Sequence, residues 1–271
     1  MILCSMLLYF LMIQFHGEYC VIAYPIQTNN NRNNQAHDIS TVNSYKVTID
    51  ASDDDIPTKN DIDSITRQLG YVPPNFIKVS ARRENGQPLT LQTYPLNGGA
   101  AAARRERKKE DDSLMIIPFP TLYWFCCPDV GRAIADLERT GHVNLLQQKL
   151  ESNPTYIERW YQNHDTYAKQ RWLSLTDEHR SMLSSSPTST NSDDILTPKT
   201  CERMRQMLQE SGIAGIYYNR KETNVPSIKC LHANYAHYRS CIKHTTLPSH
   251  LNIVGEWTHE LLQELYPDLM L

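Results

Sequence analysis

Two cysteines and three histidines fall within the stretch IKCLHANYAHYRSCIKH, Ile228 to His244. On a helix turning about 100° per residue, Cys230, Asn234, His237, Cys241 and His244 share one face, at spacings of 4, 3, 4 and 3. Leu231, Tyr235, Tyr238 and Ile242 make the apolar arc beside it. Lys229, His232, Arg239 and Lys243 fall largely opposite and are expected in water. Sulfur and imidazole together offer two chemistries. Zinc takes four borderline donors in a tetrahedron. Cys230 and His237 are about 10 Å apart along a helix axis, too far to share one ion easily. His237 and Cys241 can share one, given two ligands from elsewhere; alternatively Cys230 serves from an unwound helix start together with His232. The second chemistry is a thiolate nucleophile with histidine as its base. The bland reading is a core helix, since free cysteine packs as a small hydrophobe.

A second thiol pair lies in WFCCPDV. Pro128 is favoured at the first helical position, which makes Cys127 the expected N-cap. Unpaired N–H groups and the helix dipole there favour a thiolate or a bound anion, partly offset by Asp129. Cys126 reads as core strand.

The elements that must position these groups follow from period and punctuation. DIDSITRQLG carries Ile62, Ile65 and Leu69 on one helical face and ends on Gly70. NFIKVSAR and PLTLQTYPL read as strands joined by the turn Glu84-Asn85-Gly86. LMIIPFPTLYWFCC reads as a buried strand that Pro118 and Pro120 confine to an edge or an irregular path. Helices follow in PDVGRAIADLERTG, HVNLLQQKLESN and PTYIERWYQNHDTYAKQRWLSL, then in TCERMRQMLQESG with Thr200 as expected N-cap, and in GEWTHELLQELYPDL. The chain therefore reads as α+β: a small antiparallel sheet near the front, packed by several helices in a single domain over residues 61–271. Flexible inserts are expected at 97–112, with the basic run Arg104 to Lys109, and at 184–199.

Composition narrows the classes. Of 271 residues 40% are hydrophobic and the net charge is −3, which gives no nucleic-acid signature. The seven cysteines have no framework spacing, so free thiols or metal ligands are expected. Residues 1–23 hold an apolar run from Ile2 to Phe15 that suits a targeting segment and is short for a membrane span. Residues 24–60 form an Asn-rich, acidic linker expected to be disordered. Localisation is secretory or organellar if that run is a signal, and intracellular otherwise. No multi-span membrane region is present.

Three blocks carry a family likeness: RQLGYVPPNFIKVSARRENGQPLTLQTYPL, PFPTLYWFCCPDVGRAIADLERTGHVNLLQQKL, and PSIKCLHANYAHYRS followed by NIVGE. In order and spacing they resemble the bacterial, mainly actinobacterial, domain of unknown function 501 family, over about residues 61–260. The N-terminal segment, the longer insert after Leu96 and the Ser/Thr-rich break before Thr200 depart from its pattern. The family brings no established activity. The resemblance implies functional weight for Ala81-Arg82-Arg83, for Cys127, and for Lys229, Cys230, Leu231, His232 and His237.

Three functions remain open. In the first, Cys127, Cys230, His232 and His237 form a Cys2His2 zinc site of the structural kind. In the second, Cys230 or Cys127 is the nucleophile of a thiol-dependent hydrolase or transferase, with His237 or His232 as base and Arg82 and Arg83 holding a small anionic substrate. The third is an interaction module with inert core cysteines.

Overall fold

A capping box opens the folded region. Thr58 Oγ1 accepts the N–H of Asp61 at 3.2 Å, and Asp61 Oδ2 accepts the N–H of Thr58 at 3.0 Å. Helix α1, Lys59–Leu69, follows and closes on Gly70. The computed structural model describes residues 56–98, 116–185, 197–218, 226–242 and 251–271, together with the backbone of two paired strands, Gln14–Phe15 and Glu18–Tyr19. The chain divides into two units, Met1–Thr41 and Val42–Leu271, and every element below belongs to the second.

Strands β1 (Phe76–Arg82) and β2 (Pro88–Thr93) form the expected hairpin. Its turn needs Gly86, whose φ is +81° and whose N–H donates to the Arg83 carbonyl at 3.0 Å. Strand β3 (Tyr123–Phe125) pairs antiparallel with the other side of β2, with Thr90 opposite Phe125, giving the order β1-β2-β3. The central strand is the most buried: Leu89, Thr90 and Leu91 are all fully covered. Pro118 keeps the approach to β3 irregular, with one isolated bridge to Leu96, as an edge position permits.

The helices are α2 (Pro128–Arg139), α3 (His142–Glu151), α4 (Pro154–Leu173), α5 (Asp177–Ser184), α6 (Pro198–Glu210), α7 (Leu231–Cys241) and α8 (Ile253–Leu265). With α1 they make eight α-helices among the described residues, around one three-stranded antiparallel sheet, an α+β fold. Thr200 does not cap α6. Thr197 does, accepting the N–H of Thr200 at 3.2 Å, because Pro198 has no N–H to lose at the first helical position.

Helix α7 is the centre of the fold. It packs on β2 and β3, on α2 and on α8. Contact with α8 is close at Gly255, where a Cβ would come within 2.4 Å of the Asn234 carbonyl oxygen. Enclosure on several sides corrects the helical-wheel expectation. His232, expected in water, is 8% exposed, and Ile242 of the apolar arc is 41% exposed. An amphipathic wheel assumes one wet face, and α7 has almost none.

Most of the targeting segment, most of the Asn-rich linker and most of both inserts, including Arg104 to Lys109, lie outside the described residues. Among the described residues no helix is long and apolar enough to cross a membrane. Cys126, Cys127, Cys201, Cys230 and Cys241 are free thiols.

Candidate functional site

The N-terminus of α7 is capped from another helix. Cys230 takes the N-cap position with extended backbone, and its side chain makes no capping bond. Glu138, in the last turn of α2, supplies the acceptor instead: the Leu231 N–H donates to Glu138 Oε1 at 2.7 Å. The ring of His232 sits between two further contacts with α2. Its Nδ1 is 3.3 Å from Glu138 Oε1 and its Nε2 is 3.0 Å from the carbonyl oxygen of Gly131. A carbonyl oxygen only accepts, so Nε2 carries a proton and Nδ1 is the nitrogen turned toward the carboxylate. Phe125 packs edge-on against the ring, with centroids 5.9 Å apart.

Three donors of different type meet here. The Cys230 sulfur, a His232 ring nitrogen and a Glu138 carboxylate oxygen all lie within 4.8 Å of one another. Burial opposes a charge on His232, but hydrogen bonds with Cys230 and Glu138 outweigh it and push the ring up to about 10. Burial also works against the Glu138 carboxylate. The His232 ring and the backbone N–H groups of α7 overcome it and hold Glu138 below its ordinary value. The pocket therefore favours a positive charge held between a carboxylate and a thiol.

The other sequence candidates lie elsewhere. Cys127 is the N-cap of α2, with Pro128 after it, and is 2% exposed. Eleven helical residues put it about 16 Å from Glu138 along the α2 axis. Arg83 Nη1 approaches Cys127 Sγ at 3.9 Å and Asp129 Oδ2 at 3.6 Å, and its Nη2 donates to the Leu269 carbonyl. Arg82 does not join Arg83. It forms a two-point ion pair with Asp61, at 2.5 and 3.0 Å, and holds that carboxyl down at about 2. Successive residues at a strand end face opposite ways, and the two arginines are separated for that reason.

His237 is enclosed in the core at 1% exposure. The Asn252 amide is oriented by its Oδ1, which accepts the Gly255 N–H at 2.7 Å. Its Nδ2 then faces Asn234 Oδ1 at 3.1 Å and His237 Nδ1 at 3.2 Å. His237 Nδ1 is thus an acceptor, and the ring proton sits on Nε2, which has no partner among the described residues. The ring stacks on Tyr123 and meets Tyr167 edge-on, and burial pushes it down to about 3. Cys241, one turn further, hydrogen-bonds Tyr123 and Gln170, and burial raises its thiol.

Of the four residues expected to share an ion, then, the fold brings Cys230 and His232 together and keeps Cys127 and His237 apart from them. Glu138 is the member that residue spacing missed. It sits 94 positions before His232, in a charged stretch that reads as a solvated helix end. Its one signal was its place in the second family-like block.

No curated protein and no solved structure matches the chain. A family model does match, over residues 79–260, beginning inside β1 and taking in Glu138, Cys230 and His232. That span is more than half of the chain, which therefore belongs to the family described as Protein of unknown function (DUF501).

Proposed function

We propose that Glu138, Cys230 and His232 bind a divalent transition-metal ion, with zinc the best match to the donors, in a centre with three protein ligands. One observation carries the reading: sulfur, nitrogen and oxygen donors from two helices meet within 4.8 Å of one another. Thiolate, imidazole and carboxylate are the three side-chain ligands zinc accepts. The Nε2–H bond to the Gly131 carbonyl is the kind of outer contact that fixes a ligating histidine and turns Nδ1 inward. The charge preference agrees, because a site that holds a ring proton against burial is built to hold a cation. Three protein ligands leave a fourth position for water or a substrate oxygen, the arrangement of catalytic rather than structural zinc. Bound metal would there polarise a carbonyl or phosphoryl oxygen or acidify water.

A second reading rests on a different feature. Cys230 sits uncapped at a helix N-terminus and hydrogen-bonds a cationic ring that a carboxylate orients. Those features also suit a thiolate nucleophile with His232 as its acid–base partner, in a thiol-dependent hydrolase or transferase.

Elemental mass spectrometry on the purified full chain separates the two. The metal reading expects about one zinc per chain, lost in Cys230→Ser and Glu138→Gln and kept in Cys127→Ser and His237→Gln. A metal-free wild-type chain from zinc-replete medium sinks it. Fast alkylation of Cys230 by iodoacetamide near neutral pH, slowed in His232→Gln, then supports the thiolate. Neither metal nor a fast thiol leaves an interaction module with inert cysteines.

A further inference from the structure

The chain enters Cys230 through a short lead-in that α3 holds from the side. Gln147, half-buried on α3, does this with both ends of its amide. Its Nε2 donates to the Pro226 carbonyl at 2.6 Å, and its Oε1 accepts the Ile228 N–H at 2.9 Å. The two bonds fix which way the amide faces, because a carbonyl only accepts and an N–H only donates. The side chain bonds the lead-in as a neighbouring strand would. Nε2 also donates to Glu151 Oε1 at 2.7 Å, one turn along the same helix, which steadies the amide.

Burial along the lead-in alternates. Pro226 and Ile228 are buried, Ser227 is half-buried and Lys229 is exposed. In extended chain neighbouring side chains face opposite ways, so the residue two beyond Ile228 turns back toward the protein. That residue is Cys230, whose backbone is extended at φ −148° and ψ 118°. A slip of one residue would turn Lys229 inward and the thiol outward. Gln147 grips the backbone two residues before Cys230, and Glu138 grips it one residue after, at the Leu231 N–H. The Cys230 carbonyl itself accepts from the Asn234 amide at 2.7 Å. The thiol is thus placed from α2, α3 and α7 together.

We propose that Gln147 is a positioning residue for the Glu138, Cys230 and His232 centre: its amide sets the register in which the Cys230 sulfur reaches the ion. This inference rests on the metal reading above. Gln147 supplies no ligand. It is an outer contact that aligns one, and losing such a contact lowers metal affinity about 10–100-fold.

Cobalt(II) and zinc titrations of the metal-stripped full chain test this. A thiolate ligand gives cobalt a sulfur-to-metal charge-transfer absorption in the near ultraviolet, which the wild type should show and Cys230→Ser should lack. Gln147→Met keeps the length of the side chain and removes both bonds. It should bind zinc at least about tenfold more weakly in competition with a chelator, and show a diminished band at cobalt levels that saturate the wild type. Gln147→Asn, one methylene shorter and still polar, cannot span both groups and should move the same way. Asn153→Ala removes the cap of α4, where Asn153 Oδ1 accepts the Thr155 N–H at 2.9 Å. It lowers stability away from the centre and should leave affinity and band unchanged. Wild-type affinity in both Gln147 variants, or an equal loss in Asn153→Ala, overturns the positioning role and leaves the metal reading standing. A wild-type chain that takes up neither ion overturns both.

Discussion

Glu138 ties the end of one helix to the start of another: its Oε1 accepts the Leu231 N–H at 2.7 Å, where Cys230 leaves the α7 terminus uncapped. A carboxylate in that place does two jobs. It satisfies an orphan donor of α7, and it faces His232. Loss of a helix cap costs about 0.5–2 kcal/mol. Glu138→Ala should therefore unfold at lower urea, with a loss in that range. Glu138→Gln keeps an oxygen for the Leu231 N–H and should lose less stability, while still abolishing metal binding if the proposed centre forms. An alanine variant as stable as wild type would mean that the contact does not cap α7.

Much of the fold was legible because its signals are local. The Glu84-Asn85-Gly86 turn, Pro128 and Pro154 at helix starts, and Gly141 between α2 and α3 each act through the few residues around them. The site was less legible because it is tertiary. Cys230 and His232 stand two residues apart, and the histidine cluster drew attention to them. Glu138 comes from a different helix, and nothing in its neighbours marks it. His237 misled for the converse reason. Its spacing to Cys241 suits a ligand pair, but the Asn252 amide fixes its tautomer, and that constraint comes from α8. The wheel failed for α7 because period reports a boundary between wet and dry faces, and a central helix has no such boundary.

The buried histidines make the fold acid-sensitive in a definable window. Burial pushes His164 and His237 down to about 3, and for His164 the neighbouring His237 adds to this. Both titrate near 6.5 when unfolded. Between those values the unfolded chain takes up protons that the native chain refuses. The contribution of these two rings is complete above about 6.5 and falls as pH drops, by up to about 1.4 kcal/mol per pH unit for each ring. His259, held at about 4 by burial and by Arg239, acts in the same direction. His232 acts in the opposite direction: without metal its raised ring gives stability that is full below about 6.5 and is lost as pH rises toward about 10. His164→Asn keeps an acceptor for the Ile213 N–H, which His164 Nδ1 now receives at 3.0 Å. Urea unfolding at steps from pH 7 to about pH 5 should show a shallower decline in that variant. An unchanged slope would mean that His164 is not buried as a neutral ring.

Arg171 is one of the largest fully buried side chains among the described residues, and it meets carbonyls in place of a carboxylate. From α4 it donates to the Leu208 carbonyl at 2.9 and 2.7 Å, to Met207 at 3.0 Å, to Ser211, and to Pro120 at 2.9 Å. Three of those oxygens end α6 and one belongs to the approach to β3, so a single guanidinium pins three parts of the chain. The carbonyl end of α6 carries the negative pole of its dipole, which offsets the buried charge. Lysine cannot replace it, because an ammonium offers a point charge where the fork of arginine reaches several oxygens at once. Arg171→Met takes the guanidinium from all four carbonyls, of which Met207 keeps the Ser211 hydroxyl and Pro120 the Tyr167 hydroxyl, and should cost about 3–5 kcal/mol. Arg171→Lys should recover only part of that. The measurement is the urea midpoint of each variant at neutral pH. A methionine variant within about 1 kcal/mol of wild type would mean that water reaches these carbonyls once the guanidinium is gone.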